Sequence, residues 1–272
     1  MHLDFAFLDS GTGGLPYMGY LKSACPEASC LYLADTKNFP YGEKTPEQVI
    51  AATREAVELV LSHFSPTAFV LACNTMSVTA LESLRQDFPK IHFIGTVPAI
   101  KVAAAKTKNN TIGLLATEAT VRHPYTQGLI KDFAASCRVV SRGDGKLIRF
   151  IEQHLLSQDK RLYLQAAGPA VDFFLAQNVD TIVLGCTHFL HIAAEIQQLA
   201  GEGVQVVDSR EGVIRQALRI RSHQGHTVQN LEKAATPQHE GFFVTELSSP
   251  EIRSYYQELC AKFSIPWGGL LK

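Results

Sequence analysis

Thr67-Ala68-Phe69-Val70-Leu71-Ala72-Cys73-Asn74-Thr75 is an apolar run closed by a cysteine and a polar turn. Asp180-Thr181-Ile182-Val183-Leu184-Gly185-Cys186-Thr187-His188 repeats that arrangement more than a hundred residues later. A short, continuous apolar run before a helical stretch is the pattern of a parallel strand covered on both faces. Further runs of the same kind lie at Leu3–Leu8, Cys30–Ala34, Ile91–Ile94, Thr111–Leu115 and Val204–Val207, with the two above centred on Ala68–Ala72 and Thr181–Leu184. Helical stretches alternate with them: Thr45–His63, Ser77–Gln86, His123–Ala134, Lys160–Gln177 and His188–Leu199. The first opens on Thr45-Pro46-Glu47-Gln48, where Thr can cap, Pro suits the first helical position and Gln completes a capping box.

The alternation predicts an α/β fold with mainly parallel sheets. The echo predicts two similar α/β halves facing one another, residues 1–96 with 209–272 and residues 97–208. The switch falls near Gly95–Pro98. Residues 225–237 read as a polar surface connection, followed by a strand at Gly241–Glu246 and a helix at Pro250–Phe263.

Composition sets the outer limits. The 272 residues are 46% hydrophobic and 19% charged, an ordinary globular balance. With 25 basic against 26 acidic residues, no net field draws nucleic acid or an anionic membrane. No apolar run approaches the roughly 20 residues of a membrane helix. The start, Met1-His2-Leu3-Asp4-Phe5, lacks the basic residues of a signal peptide, so the expected location is cytoplasmic. The six cysteines, at 25, 30, 73, 137, 186 and 260, form no CxxC pair, which argues against a disulfide framework and against structural zinc.

Cys73 and Cys186 stand apart from the other four because each ends a strand and precedes a helix, where parallel sheets bind ligands. Unpaired N–H groups at a helix start favour negative charge and lower a thiol pKa from about 8.5. Two such thiols across one cleft suit removal of an α-proton from one face of an amino acid and return of a proton to the other. The charge developing on the α-carboxylate needs donors, which Asn74-Thr75 and Thr187-His188 supply.

Asp9-Ser10-Gly11-Thr12-Gly13-Gly14 is a Gly-rich turn after the first strand, yet Pro16 stands where a dinucleotide fingerprint has its third Gly. Its backbone N–H groups suit a substrate carboxylate. Asp9 reads either as a helix cap or as a proton relay and ammonium partner near Cys73. His188 reads either as a capping histidine or as the group that holds a Cys186 thiolate. Phe39-Pro40-Tyr41-Gly42-Glu43-Lys44 reads either as only a turn or as a loop that closes over a ligand.

Taken together, Asp9-Ser10-Gly11-x-Gly13-Gly14, Pro40-Tyr41-Gly42-x-Lys44, Ala72-Cys73-Asn74-Thr75, Leu184-Gly185-Cys186-Thr187-His188 and Asp208-Ser209 resemble the bacterial glutamate racemases in order and spacing. Gly95-x-x-Pro98-Ala99 and Leu115-Ala116-Thr117 extend the resemblance to nearly the whole chain. It implies two pseudo-symmetric α/β domains with the active site in the cleft between them, and cofactor-independent, metal-free interconversion of L- and D-glutamate for peptidoglycan, by an enzyme that is commonly a homodimer. Cys73 would then act on D-glutamate with Asp9 assisting, and Cys186 on L-glutamate with His188 assisting. Substrate contacts would come from Asp9, Ser10, Tyr41, Gly42, Asn74, Thr75, Thr187 and His188.

Three departures stand out. Met76 replaces the family's Ala and is expected to crowd the cleft, and Phe189-Leu190 replaces aromatic-Pro. Ser141-Arg142-Gly143-Asp144-Gly145-Lys146 replaces a Val-Pro-Leu-Val-Glu-like segment, leaving Glu152 a candidate for its acidic residue. An aspartate racemase, a single-cysteine hydrolase with a Cys–His pair, and a non-catalytic amino-acid binder are the rival readings.

Overall fold

The computed structural model describes residues 2–223 and 240–272, so the expected connection at 225–237 lies outside the described residues. Its strands are β1 (His2–Asp9), β2 (Cys30–Ala34), β3 (Ser65–Leu71), β4 (His92–Gly95), β5 (Thr111–Ala116), β6 (Arg138–Gly143), β7 (Thr181–Leu184), β8 (Gln205–Val207), β9 (Gly241–Val244) and β10 (Trp267–Leu270). They form two sheets, in the orders β10-β9-β2-β1-β3-β4 and β6-β5-β7-β8, and the strand pairs are parallel. The fold is α/β with two parallel sheets.

The order β2-β1-β3-β4 recurs as β6-β5-β7-β8. This matching order explains the echo in the sequence: Cys73 follows β3 and Cys186 follows β7, the same position in each sheet. The strands before them are buried because helices cover both faces. Phe69, Val70 and Leu71 of β3 and Val183 and Leu184 of β7 are at most 2% exposed, each contributing about 1.5–3 kcal/mol by leaving water.

Two strands carry no continuous apolar run and were not legible as strands. β6 is Arg-Val-Val-Ser-Arg-Gly, half-buried through most of its length, and β10 contains Gly268-Gly269. Both are edge strands, which need only one buried flank.

Helix starts follow the expected chemistry. Thr45 Oγ1 accepts from Gln48 N–H while Gln48 Oε1 accepts from Thr45 N–H, with Pro46 at the first turn of Pro46–His63. The helix after Cys73 begins at once, as Asn74–Asp87, three residues earlier than its periodicity predicts. After Cys186 the chain makes a 3₁₀ helix, Thr187–Ile192, before the α-helix Ala193–Ala200.

Candidate active site

Each cysteine occupies the residue before a helix, in extended backbone, with φ −140° and ψ 121° at Cys73 and φ −136° and ψ 139° at Cys186. Both sulfur-bearing residues are nearly buried, at 7% and 6% exposure. They line one cavity of about 130 Å³ between the two sheets. The loop after β1 fits closely against this site. A Cβ on Gly14 would stand 2.5 Å from the Ala72 Cβ, and one on Gly13 would stand 2.4 Å from His188 Nδ1. Side chains cannot be added at those two positions without displacing what they touch.

Ser10, Tyr41 and Gly42 form one part of the wall, Asn74 and Thr75 another, and Thr187 and His188 a third. Asp9 does not reach the cavity surface. It is fully buried behind the wall, where its carboxylate accepts from Gly11 N–H, Ser10 Oγ and Thr187 Oγ1 at 3.0–3.2 Å. Burial raises its pKa, against the opposing charge of His188. Tyr41 spends its hydroxyl on Asp35 Oδ2 at 2.6 Å. Among the described residues, Asn74 has no hydrogen-bond partner at either Nδ2 or Oδ1, although it is 2% exposed. A buried amide left unpaired costs free energy that a ligand can recover.

His188 stands beside Cys186, with Nδ1 3.8 Å from the sulfur, and its Nε2 meets Glu152 Oε2 at 2.8 Å. Burial alone would lower the histidine pKa. Hydrogen bonds to Cys186 and Glu152, with the Glu152 charge, raise it well above 6.5 instead. Burial opposes ionisation of Glu152 too, yet the bonds from His188 and Thr12 keep its pKa lowered. The two are an imidazolium and a carboxylate.

Cys73 departs from the expectation drawn for a helix-start thiol. Burial, then the nearby Asp9 charge, push its pKa well above the ordinary thiol range, and the N–H groups of Met76 and Thr75 only partly offset this. Helix-end charges act within one turn, whereas desolvation penalises the thiolate from every side. Met76 is also corrected: it is fully buried in the core with Leu71, Ala80 and Leu84, and does not line the cavity. Its side chain points to the other side of its helix.

The cavity has members that sequence reasoning missed. Thr117 hydrogen-bonds Thr75 Oγ1 at 3.0 Å across the cleft. Glu43, from the turn Tyr41–Glu43, pairs with Arg149 of the helix Gly145–His154, and both line the mouth. Leu115-Ala116-Thr117, part of the family resemblance, carried a signal for the first; nothing local announced the ion pair. Within residues 141–146, Ser141–Gly143 end β6 and Asp144 caps the following helix through Leu147 N–H. A larger cleft, about 730 Å³, runs along Gly95–Ala99 and Asp208–Arg210 and contains neither Cys73 nor Cys186. Among the described residues, no group of three His, Cys, Asp or Glu side chains could hold a metal ion, and no helix is long and apolar enough to cross a membrane.

Residues 20–217 match the family model described as Asp/Glu/Hydantoin racemase. The glutamate racemase of Treponema pallidum (strain Nichols) is 39% identical over 267 residues, spanning 98% of this chain and 96% of that one. That of Proteus mirabilis (strain HI4320) is 38% identical over 207 residues, 76% of this chain and 72% of the other. The crystal structure of Escherichia coli glutamate racemase in complex with L-glutamate and the activator UDP-MurNAc-Ala superposes with a TM-score of 0.83 at 29% identity, covering 98% of this chain and 97% of that one.

Proposed function

The chain belongs to the Asp/Glu/Hydantoin racemase family, and from that premise we propose that it interconverts L- and D-glutamate by two-base proton transfer between Cys73 and Cys186, supplying D-glutamate for peptidoglycan. The observation that carries the reading is the pair of thiols at equivalent strand ends on the wall of one cavity.

In the L-to-D direction Cys186 acts as base. The His188 imidazolium, paired with Glu152, stands beside the sulfur and stabilises its thiolate. The Cys186 thiolate removes the α-proton of L-glutamate, leaving a carbanion whose charge spreads onto the α-carboxylate. Cys73, held as the neutral thiol by its burial, donates its proton to the opposite face. The product is D-glutamate, with one proton gained at Cys186 and one lost at Cys73. In the D-to-L direction the roles reverse, with buried Asp9 assisting Cys73. The free amide of Asn74 and the N–H groups opening the helix Asn74–Asp87 are placed to take the α-carboxylate. Ser10, Tyr41, Gly42, Thr75, Thr187 and His188 are the remaining substrate contacts in this reading. It also keeps residues 1–96 with 209–272 and 97–208 as the two domains, supported by the membership of the two sheets. A cytoplasmic homodimer is the proposed working form.

The test is incubation with L- or D-glutamate in deuterated water, following optical rotation and α-carbon exchange, with L-aspartate in parallel. Inversion of glutamate in both directions is expected without added cofactor, and none in Cys73→Ala or Cys186→Ala. Inversion that survives either substitution, or that requires pyridoxal phosphate, overturns the mechanism. Faster turnover of aspartate overturns the substrate assignment.

A further inference from the structure

Glu152 is seated by residues that never reach the cavity. Thr12 gives it two donors: the backbone N–H at 3.1–3.2 Å and the hydroxyl at 2.5 Å to Oε2. A Cβ on Gly11 would come within 2.8 Å of Glu152 Oε1, so the carboxylate rests directly on this backbone. The far side of the Thr12 peptide is held as well, because its carbonyl accepts from His191 Nε2 at 3.0 Å. His191 lies one 3₁₀ turn after His188 in Thr187–Ile192 and so on the same face. The ring His188–Glu152–Thr12–His191 therefore closes on itself through that helix, tying together three segments distant in sequence. We infer that Thr12 and His191 are positioning residues for the Cys186 half of the reaction, holding Glu152 where it keeps the Nδ1 edge of His188 turned toward the Cys186 sulfur.

The chemistry explains why two residues are spent this way. A carboxylate is acceptor-only, so Glu152 takes the Nε2 N–H of the His188 imidazolium and leaves the Nδ1 N–H to face the sulfur. A buried carboxylate stays ionised only while its oxygens are hydrogen-bonded. Two of its three side-chain partners come from Thr12, and the third is His188 itself. His191 adds no competing charge, since burial pushes its pKa down to about 4 and the ring is neutral where its neighbour is charged. The other titratable groups facing His188 are Cys186, Glu152 and Asp9. Tyr255 completes the seat by donating to the Glu152 carbonyl at 2.6 Å.

The inference rests on the racemase reading, and its test separates the two. In the full-length protein, the protonation of His188 is followed by imidazole ¹⁵N NMR, alongside steady-state kinetics in both directions, for wild type, Thr12→Val, Thr12→Ser and His191→Leu. Thr12→Val keeps the N–H and the shape but removes the hydroxyl. It should lower the His188 pKa by about one unit and kcat roughly tenfold with little change in KM, since a bond to a charged group is lost. Thr12→Ser should restore both. His191→Leu should give a smaller shift in the same direction. An unchanged His188 titration in folded Thr12→Val, or a kinetic loss that Thr12→Ser fails to recover, overturns the positioning role. Absence of inversion by wild type, with the His188 shift still present, overturns the reaction assignment and leaves the clamp standing.

Discussion

Met76 and Cys73 sit three residues apart on one helix start, and the distance between what each suggests alone and what each does in the fold is instructive. Met76 faces the core and not the ligand, because it lies two helical positions, about 200° around the axis, from the cavity-lining Asn74. Met76→Ala should therefore cost about 2–4 kcal/mol of stability, by transfer loss plus cavity, while KM for glutamate stays within about twofold. Urea melts and steady-state kinetics check this; a raised or lowered KM at unchanged stability would return Met76 to the cavity wall. The structure sets Cys73 on the cavity wall, and its place at a strand end was legible in the sequence. Its shifted acidity was not, since desolvation depends on every neighbour that the tertiary fold brings near, Asp9 among them.

Between elements, the Glu43–Arg149 pair joins the turn Tyr41–Glu43 to the helix Gly145–His154 over the cavity mouth. The side chains are 53% and 47% exposed, so the pair contributes at most about 1 kcal/mol to stability. Its larger effect falls on substrate approach. Among the described residues, Arg149 is the one Lys or Arg on this wall, and glutamate arrives as an anion. Arg149→Gln should raise KM about three- to tenfold and Glu43→Gln should lower it, with both effects shrinking at high salt. KM values that move together, or ignore ionic strength, would reduce the pair to a surface contact. Neither residue is specified by a motif, and the pairing exists only because a turn and a helix distant in sequence meet. The edge strands β6 and β10 escaped sequence reading for a related reason: an edge needs partners and position more than an apolar run.

At the scale of the whole molecule, the cavity lies where the two sheets oppose their carboxyl ends, and pH acts on the join between them. His191 holds the loop after β1 against the 3₁₀ helix after β7 while neutral. Its folded pKa of about 4 lies below its unfolded value near 6.5, so the unfolded chain binds the proton more readily as pH falls. Stability is then lost from about pH 6.5 downward, by about 2 kcal/mol at most between pH 7 and 5. His191→Leu should flatten that part of the profile in urea titrations at the two pH values; an equally steep profile would show the acid sensitivity to come from elsewhere. Cys73 acts at the other end. Its raised thiol pKa means the folded state holds the proton longer, so stability falls as pH rises past the unfolded thiol pKa.

The local order of residues determined the strands that are buried on both faces, the capping box at Thr45, the two strand-end cysteines and the recurrence of one pattern in two halves. These follow from periodicity and from chemistry within a few residues, which the chain carries wherever it goes. Only the tertiary structure decided that Glu152 meets His188, that Thr12 and His191 hold Glu152, that Arg149 faces Glu43 and that Asp9 stands behind the wall. Each of those contacts joins groups from separate elements, most of them far apart in the chain. Their distances and acidities come from how two sheets pack, a property that no single stretch of sequence contains.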